Sequence, residues 1–284
     1  MSAAPPPGIW PAELADTGVE RGDLIGEGGF AWVFRARHPR HGQVAVKVWR
    51  QPLGHREEVK FRREWSLHRA LAGNPHVVRM FEAVAPPRRR PWTVSELYEC
   101  SLQDRLRDGP PIGRGEAFVL ADDLLAGLAA VHRARHLHRD VKPANVLLRA
   151  GRAALGDLGI LLPVGDSTLA PGAGTASFRA PELAPELVYG HPSYRSDVYS
   201  AAMTIRRLFD PVDPAAPRPL DALLERAASE LTSERPVDAA QFRARLLSAG
   251  RLEGYDAGRP EGHDVEKPAD PDDVRPWWRP RRSR

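Results

Sequence analysis

Residues 138–148, HRDVKPANVLL, place an imidazole, a carboxylate, two strong bases and an amide within eight positions, directly before an apolar run. Polar side chains packed so densely beside Val146, Leu147 and Leu148 predict a tight loop feeding a short buried strand. Pro143 stiffens that loop by fixing its own φ. A buried ion-pair network uses the same residue types, so the companions of this stretch elsewhere in the chain decide how it is read.

Three other segments make sense with it. In GDLG, residues 156–159, Asp157 ends a short strand, NVLL and AALGD forming a hairpin across RAGR. In VAVK, residues 44–47, strand alternation puts Ala45 and Lys47 on one face. In IGEGGFAWV, residues 25–33, Gly26, Gly28 and Gly29 occupy a hairpin bend where backbone amides can approach phosphate oxygens, with Glu27, Phe30, Ala31 and Trp32 completing it. Ile25 and Val33 flank the bend and can cover a flat ring. That loop leads into a strand, whereas a dinucleotide-binding fingerprint opens a helix. Together the segments supply what phosphoryl transfer needs: Asp140 to take a proton from a hydroxyl, Lys142 to neutralise the transferring phosphate, Asn145 and Asp157 to hold magnesium, and Lys47 to reach the α and β phosphates. Lys47 needs an acid to hold it. Glu64 on the following helix is the best placed, with Glu57 and Glu58 as substitutes.

The surrounding pattern is consistent. Alternation predicts strands on both sides of HPRHG (residues 38–42). A helix is expected over residues 56–71 with Val59, Phe61, Trp65 and Leu67 or Leu71 inward, and two more strands around PPRRR (residues 86–90). After Cys100 the chain turns helical: a short helix in SLQDRLRD, a long one over residues 113–136, others near residues 197–208 and 220–231, and a last one in VDAAQFRARLLSAG. The expected fold class is α+β, a small β lobe followed by a larger, mostly α lobe. No repeat is evident.

Composition sets outer limits. The chain has 284 residues, 42% hydrophobic and 27% charged, enough for a substantial core. Its 28 prolines cluster toward the ends, so residues 1–20 are expected to form a flexible arm and residues 251–284 a disordered Pro/Arg-rich tail. The first residues lack the charged start and apolar run of a signal peptide, no run is long enough to span a membrane, and Cys100 stands alone. A cytoplasmic chain is expected. The net charge of +4 is spread among mixed signs and gives no specific nucleic-acid signal. Lysine stands only at Lys47, Lys60, Lys142 and Lys267 among many arginines, and a compact ammonium at the first and third of the four suits phosphate.

IGEGGFAWV, VAVK, HRDVKPANVLL, DLG, GTASFRAPE and SDVYS come in the order and approximate spacing of the protein-kinase signature set. From about Leu24 to Leu247 the sequence resembles a bacterial, eukaryotic-like (Hanks-type) Ser/Thr protein kinase. The resemblance implies a two-lobed protein-kinase fold within residues 21–250: an antiparallel β N-lobe with one helix (21–95), a hinge (96–100) and a mostly α C-lobe (101–250), here shortened. It implies ATP with Mg2+, or Mn2+ in its place, and protein substrates carrying Ser or Thr, the chain itself among them. Residue by residue, Lys47 resembles the phosphate-anchoring lysine, Glu64 its helix partner, Asp140 the base, Lys142 the Ser/Thr-type lysine, and Asn145 and Asp157 the metal ligands. Glu96 and Tyr98 stand where the hinge backbone meets adenine, Ala45 and Leu147 where apolar surface closes on it, and Ser95 where the gatekeeper lies. Glu182 is expected to pair with Arg235, and Asp197 to support the loop of Asp140.

The segment between Asp157 and Glu182 offers Ser167, Thr168 and Thr175 as regulatory positions, and Arg139 as a residue that captures a phosphate added there. Thr175 more naturally positions Asp140 and Lys142. Departures from the pattern are Ala31 for the third glycine, Leu158 for the usual Phe, His68 at an apolar helix position, and the short DPVDPAAPRP (residues 210–219) in place of a longer approach to the next helix. They keep two alternatives open: a nucleotide-binding pseudokinase scaffold, and a kinase acting on a small molecule. The tail pair Trp277 and Trp278 among arginines suits docking on a partner, an anionic membrane surface or nucleic acid, and equally suits a disordered, solubilising basic end.

Overall fold

The structure is a computed structural model that describes residues 9–158, 162–163, 176–184, 191–209 and 218–255. Tertiary contacts divide the chain into two compact units: one runs to Tyr98 and includes the segment beginning at Asp157, the other comprises Glu99–Gly156 and the chain from Leu162 onward.

The first unit is built on five antiparallel strands: β1 (Glu20–Glu27), β2 (Ala31–His38), β3 (Gly42–Trp49), β4 (Met80–Val84) and β5 (Trp92–Glu96), in spatial order β1-β2-β3-β5-β4. One face is apolar because alternate residues point to it: Phe34 and Ala36 from β2, Val44, Val46 and Val48 from β3, Trp92 and Val94 from β5. Gly42 closes the β2–β3 turn at φ +65°, a conformation that glycine adopts without Cβ strain. Edge strand β1 slips register between Arg21 and Gly26 before entering the glycine-rich bend.

Two expectations are corrected here. Helix α1 (Ala12–Asp16) buries Leu14 completely, and Ile9 and Val19 join it in the sheet's core. Trp10 meets Phe34 edge to face at 5.6 Å. Residues 9–19 are therefore part of the folded unit rather than of a flexible arm, because three apolar side chains among the prolines suffice to cover the sheet. Helix α2 (His55–Leu71) turns Phe61, Glu64, Leu67 and His68 inward, while Val59 stays exposed and Trp65 half-exposed. Its buried stripe includes two polar residues, which an apolar periodicity cannot register.

The second unit centres on α4 (Arg114–Arg133), buried nearly all round from Ala117 to His132. Against it pack β8 (Val146–Arg149) and β9 (Arg152–Leu155), α5 (Tyr194–Ile205), α6 (Pro219–Ala227) and α7 (Ala239–Leu252). β6 (Cys100–Ser101) adds to β8, and α3 (Leu102–Asp108) follows, capped by reciprocal bonds between Ser101 and Asp104. Short β7 (His136–Leu137) pairs with β10 (Leu162–Pro163). Asp123, with no exposed surface, accepts from Nη2 and Nε of Arg152 at 2.6 and 2.8 Å, tying α4 to β9. Beyond α7 the chain turns back so that Tyr255 stacks on Phe118 at 4.7 Å, which places the first residues of the expected tail within this unit.

The first unit is a β-rich lobe with α2, and the second is mostly α, the two-lobed protein-kinase fold. Among the described residues no helix is long and apolar enough to cross a membrane.

Candidate active site

In the first unit, strand alternation that buries Val44, Val46 and Val48 leaves Ala45 and Lys47 on the opposite face, with Val33 directly across from Lys47 and Ser95 across from Ala45. Lys47 Nζ donates to Asp157 Oδ1 at 3.0 Å. Burial opposes the lysine's charge, but the carboxylates of Asp157 and Glu64 outweigh it, and its pKa lies above the ordinary value. The acid in contact with Lys47 is thus Asp157. Glu64 acts on the lysine through its charge and lies 3.9 Å from His68 Nε2. Burial, reinforced by the like charge of Asp157 and opposed by Lys47, pushes Glu64 up to about 7. His68 Nδ1 donates to the Val78 carbonyl at 3.2 Å, so the imidazole occupies the apolar position with a backbone partner and a carboxylate nearby. Leu158, beside Asp157, is fully buried.

The glycine-rich bend joins β1 to β2. Gly26 lies opposite Val33, and a Cβ there would sit 3.4 Å from the valine Cβ. Gly28 donates its N–H to the Ala31 carbonyl at 2.9 Å, while the N–H groups of Gly29 and Phe30 make no hydrogen bond among the described residues. A Cβ at Gly29 would meet nothing within 4 Å, and neither Gly28 nor Gly29 has a positive φ. The fold itself does not demand glycine at these positions, and the Gly29 and Phe30 amides stay open to a group approaching from outside. Phe30 stands out into solvent, and Trp32 is buried. At the end of β5 the Glu96 N–H is taken by the Arg79 carbonyl at 2.9 Å, and Tyr98 Oη donates to Glu96 Oε2 at 3.2 Å. Ile25, on β1, is largely exposed.

The second unit carries the loop of residues 138–145. Asp140, 7% exposed, receives Lys142 Nζ at 2.6 Å and Asn145 Nδ2 at 3.1 Å on the same Oδ2. Asn145 Nδ2 also donates to the Asp140 carbonyl at 2.8 Å, which orients its amide. The loop hangs from Asp197 on α5. This carboxylate, 1% exposed, accepts the N–H of His138 and of Arg139, both at 2.7 Å, and His132 Nε2–H at 3.1 Å. Burial opposes its charge, but the hydrogen bonds from His132 and from the backbone overcome it and hold its carboxyl below the ordinary range. His132 Nδ1 accepts the Ala239 N–H and His138 Nδ1 accepts the Asp140 N–H, so each ring carries its proton on Nε2. His138 then donates to the Gly156 carbonyl at 3.0 Å. Arg139 at φ 68° and Asp157 at φ 54° both adopt the left-handed conformation, which costs a non-glycine residue about 1 kcal/mol or more. On β8, Val146 and Leu148 point to the core while Leu147 takes the other face.

In the second unit Asn145 offers an amide oxygen that accepts no hydrogen bond among the described residues, and in the first unit Asp157 offers a carboxylate that meets Lys47. Each by itself is a hard oxygen donor of the kind that magnesium takes. Farther along the second unit, Glu182 and Arg235 form a forked pair at 2.9 and 2.9 Å, with the arginine buried. Ser167, Thr168 and Thr175 lie outside the described residues, as do residues 210–217 and the tail beyond Tyr255.

Two side chains that hold the loop of Asp140 in place, His132 through Asp197 and His138 through the Gly156 carbonyl, were not singled out from sequence. Only the position of His132 on the buried face of α4 hinted at a partnered imidazole.

The protein kinase domain family matches residues 19–233. The chain is 36% identical over 200 residues to the serine/threonine-protein kinase PknK of Mycobacterium tuberculosis, covering 69% of this chain and 18% of that one. It is 30% identical over 275 residues to PknB of the same organism and 29% over 272 residues to PknB of Mycobacterium leprae, covering 84% of this chain and 43% of each relative. It therefore spans less than half the length of these curated relatives. With its signature segments on the strands and loops described above, the chain belongs to the eukaryotic-like, Hanks-type Ser/Thr protein kinase family.

Proposed function

We propose that the chain transfers the γ-phosphoryl group of ATP to Ser or Thr hydroxyls of proteins, itself included, in bacterial signalling. The observation that carries this reading is Asp140, a nearly buried carboxylate fixed by Lys142 and Asn145 on a loop suspended from Asp197. Asp140 orients the acceptor hydroxyl and takes its proton as the oxygen bonds to the γ phosphorus and the bond to the ADP oxygen breaks. Lys142 donates to the phosphoryl oxygens, and Lys47 holds the α and β phosphates. The amides of the glycine-rich bend receive phosphate oxygens, Ile25, Val33, Ala45 and Leu147 enclose adenine, and the Glu96–Tyr98 backbone sets its register. Asn145 and Asp157 are the residues that would hold a magnesium ion, and such an ion would supply neutralisation of phosphate charge. The serine/threonine kinases PknK and PknB favour a protein hydroxyl as acceptor. The lone Cys100 accords with a cytoplasmic setting.

Incubating the protein with ATP and Mg2+, alone and with a basic test protein, and then analysing phosphoamino acids, tests this reading. Phosphoserine or phosphothreonine is expected. ATP consumption without protein-bound phosphate would point instead to a small-molecule acceptor.

A further inference from the structure

Arg50 lies three residues past Lys47, just beyond the end of β3, and every bond that it donates runs to the glycine-rich bend. Its backbone N–H donates to the Phe30 carbonyl at 2.9 Å. Its Nε donates to the Gly28 carbonyl at 2.9 Å, and its Nη2 to Glu27 Oε1 at 2.7 Å. One residue thus grips both limbs of the bend, Glu27 and Gly28 on the β1 side and Phe30 on the β2 side. The guanidinium is itself held: it lies 4.5 Å over the ring of Trp32, and Arg90 lies 5.7 Å from the same ring while donating Nε to the Arg50 carbonyl at 3.1 Å. Trp32 is buried, so this stack is anchored to the sheet.

We infer that Arg50 is a positioning residue for the nucleotide, clasping the glycine-rich bend to the strand that carries Lys47 so that the loop amides are ordered before ATP arrives. The inference rests on the proposed ATP-dependent activity and adds to it a residue outside the signature segments. A glycine-rich turn has more backbone freedom to lose than any other, and ordering it on binding weakens affinity. Arg50 spends carbonyl and carboxylate acceptors, leaving the Gly29 and Phe30 amides unengaged. Because the clasp acts on the nucleotide equally before and during transfer, its loss raises KM without lowering kcat.

The test uses the full chain as wild type, Arg50→Ala, Arg50→Lys and Glu27→Gln, with two readouts. In the nucleotide-free proteins, amide hydrogen exchange over residues 26–31 is compared with exchange over β3 and β5. In the second, the Kd of a fluorescent ATP analogue is measured alongside KM for ATP and kcat. Arg50→Ala is expected to speed exchange in the bend alone and to raise Kd and KM together by about three- to tenfold, in line with loss of charge-assisted bonds at a half-exposed site, with kcat within about twofold. Arg50→Lys keeps charge and one donor and recovers part of the loss; Glu27→Gln, which keeps a neutral bond, falls between. Unchanged bend exchange in Arg50→Ala would overturn the clasp whether or not ATP binds, as would a fall in kcat at constant Kd. Failure of the wild type to bind the analogue would instead sink the proposed function, and the exchange comparison would still decide the clasp.

Discussion

Asp197 on α5 accepts the backbone N–H of Arg139 at 2.7 Å, and Arg139 is held at φ 68°, a strained conformation for a residue with a Cβ. A buried carboxylate thus fixes the backbone one residue before Asp140, the adjacent N–H of His138 being taken by its other oxygen. Strain at this point persists because Asp197 over-determines it. Replacing Asp197 by Ala frees two buried N–H groups and lets the loop relax. Displacement of a base by an ångström costs on the order of a hundredfold in rate. The expected outcome for Asp197→Ala is a fall in kcat of at least that order with ATP affinity retained, read by steady-state kinetics and direct nucleotide binding. Unimpaired kcat in a folded variant would contradict it.

Glu64 is a buried acid whose folded pKa, about 7, lies above the ordinary value of 4.5. Between those two pH values the folded protein holds a proton that the unfolded chain releases, so this group's contribution to stability falls as pH rises through the window. Denaturant unfolding of wild type and Glu64→Gln at pH 5 and pH 8 checks the sign. Wild type is expected to lose about 2 kcal/mol relative to the variant on going from the lower to the higher pH. A pH-independent difference would contradict the assignment.

Arg235 is buried and paired through both terminal nitrogens with Glu182, whose carboxyl is held below its ordinary range: burial opposes this, but the bonds from Arg235, its own backbone and Ser196 prevail. Removing Glu182 alone leaves a buried guanidinium uncompensated, a cost of about 3–5 kcal/mol. Glu182→Ala should therefore unfold at markedly lower denaturant, whereas Glu182→Leu combined with Arg235→Met should recover much of the loss. Equal destabilisation of the single and double variants would show that the pair's charge is not what matters.

Leu14 has no exposed surface. Leu14→Ala is expected to cost about 3 kcal/mol, as for other buried leucines, measured as a shift in the denaturation midpoint. A shift near zero would return residues 9–19 to the status of a loose arm.

The strands and the long helix α4 were legible in sequence because period-two and near-continuous apolar patterns survive without tertiary information. The same holds for Asp140, Lys142 and Asn145, which fall within one loop, and for the shared face of Ala45 and Lys47. Legibility failed where polar side chains are buried. Glu64 and His68 form part of the inner stripe of α2, and an apolar template placed Val59 and Trp65 there instead. It failed also where sparse apolar residues sit among prolines, as at Ile9, Leu14 and Val19. The contact of Lys47 with Asp157 rather than Glu64, 110 residues apart in sequence for the former pair, depends on packing that spacing does not encode. Arg50 went unnoticed because its partners are mostly backbone carbonyls, which have no sequence signature.

The central claim is that Asp140 is the base for phosphoryl transfer to a protein hydroxyl. Labelled ATP with Mg2+ should place phosphate on the wild-type chain or a basic test protein, while Asp140→Asn, which keeps the shape and hydrogen-bonding reach of the side chain, binds ATP but incorporates at least about a hundredfold less. Equal labelling of the two proteins, or no labelling of either despite ATP binding, would contradict the account.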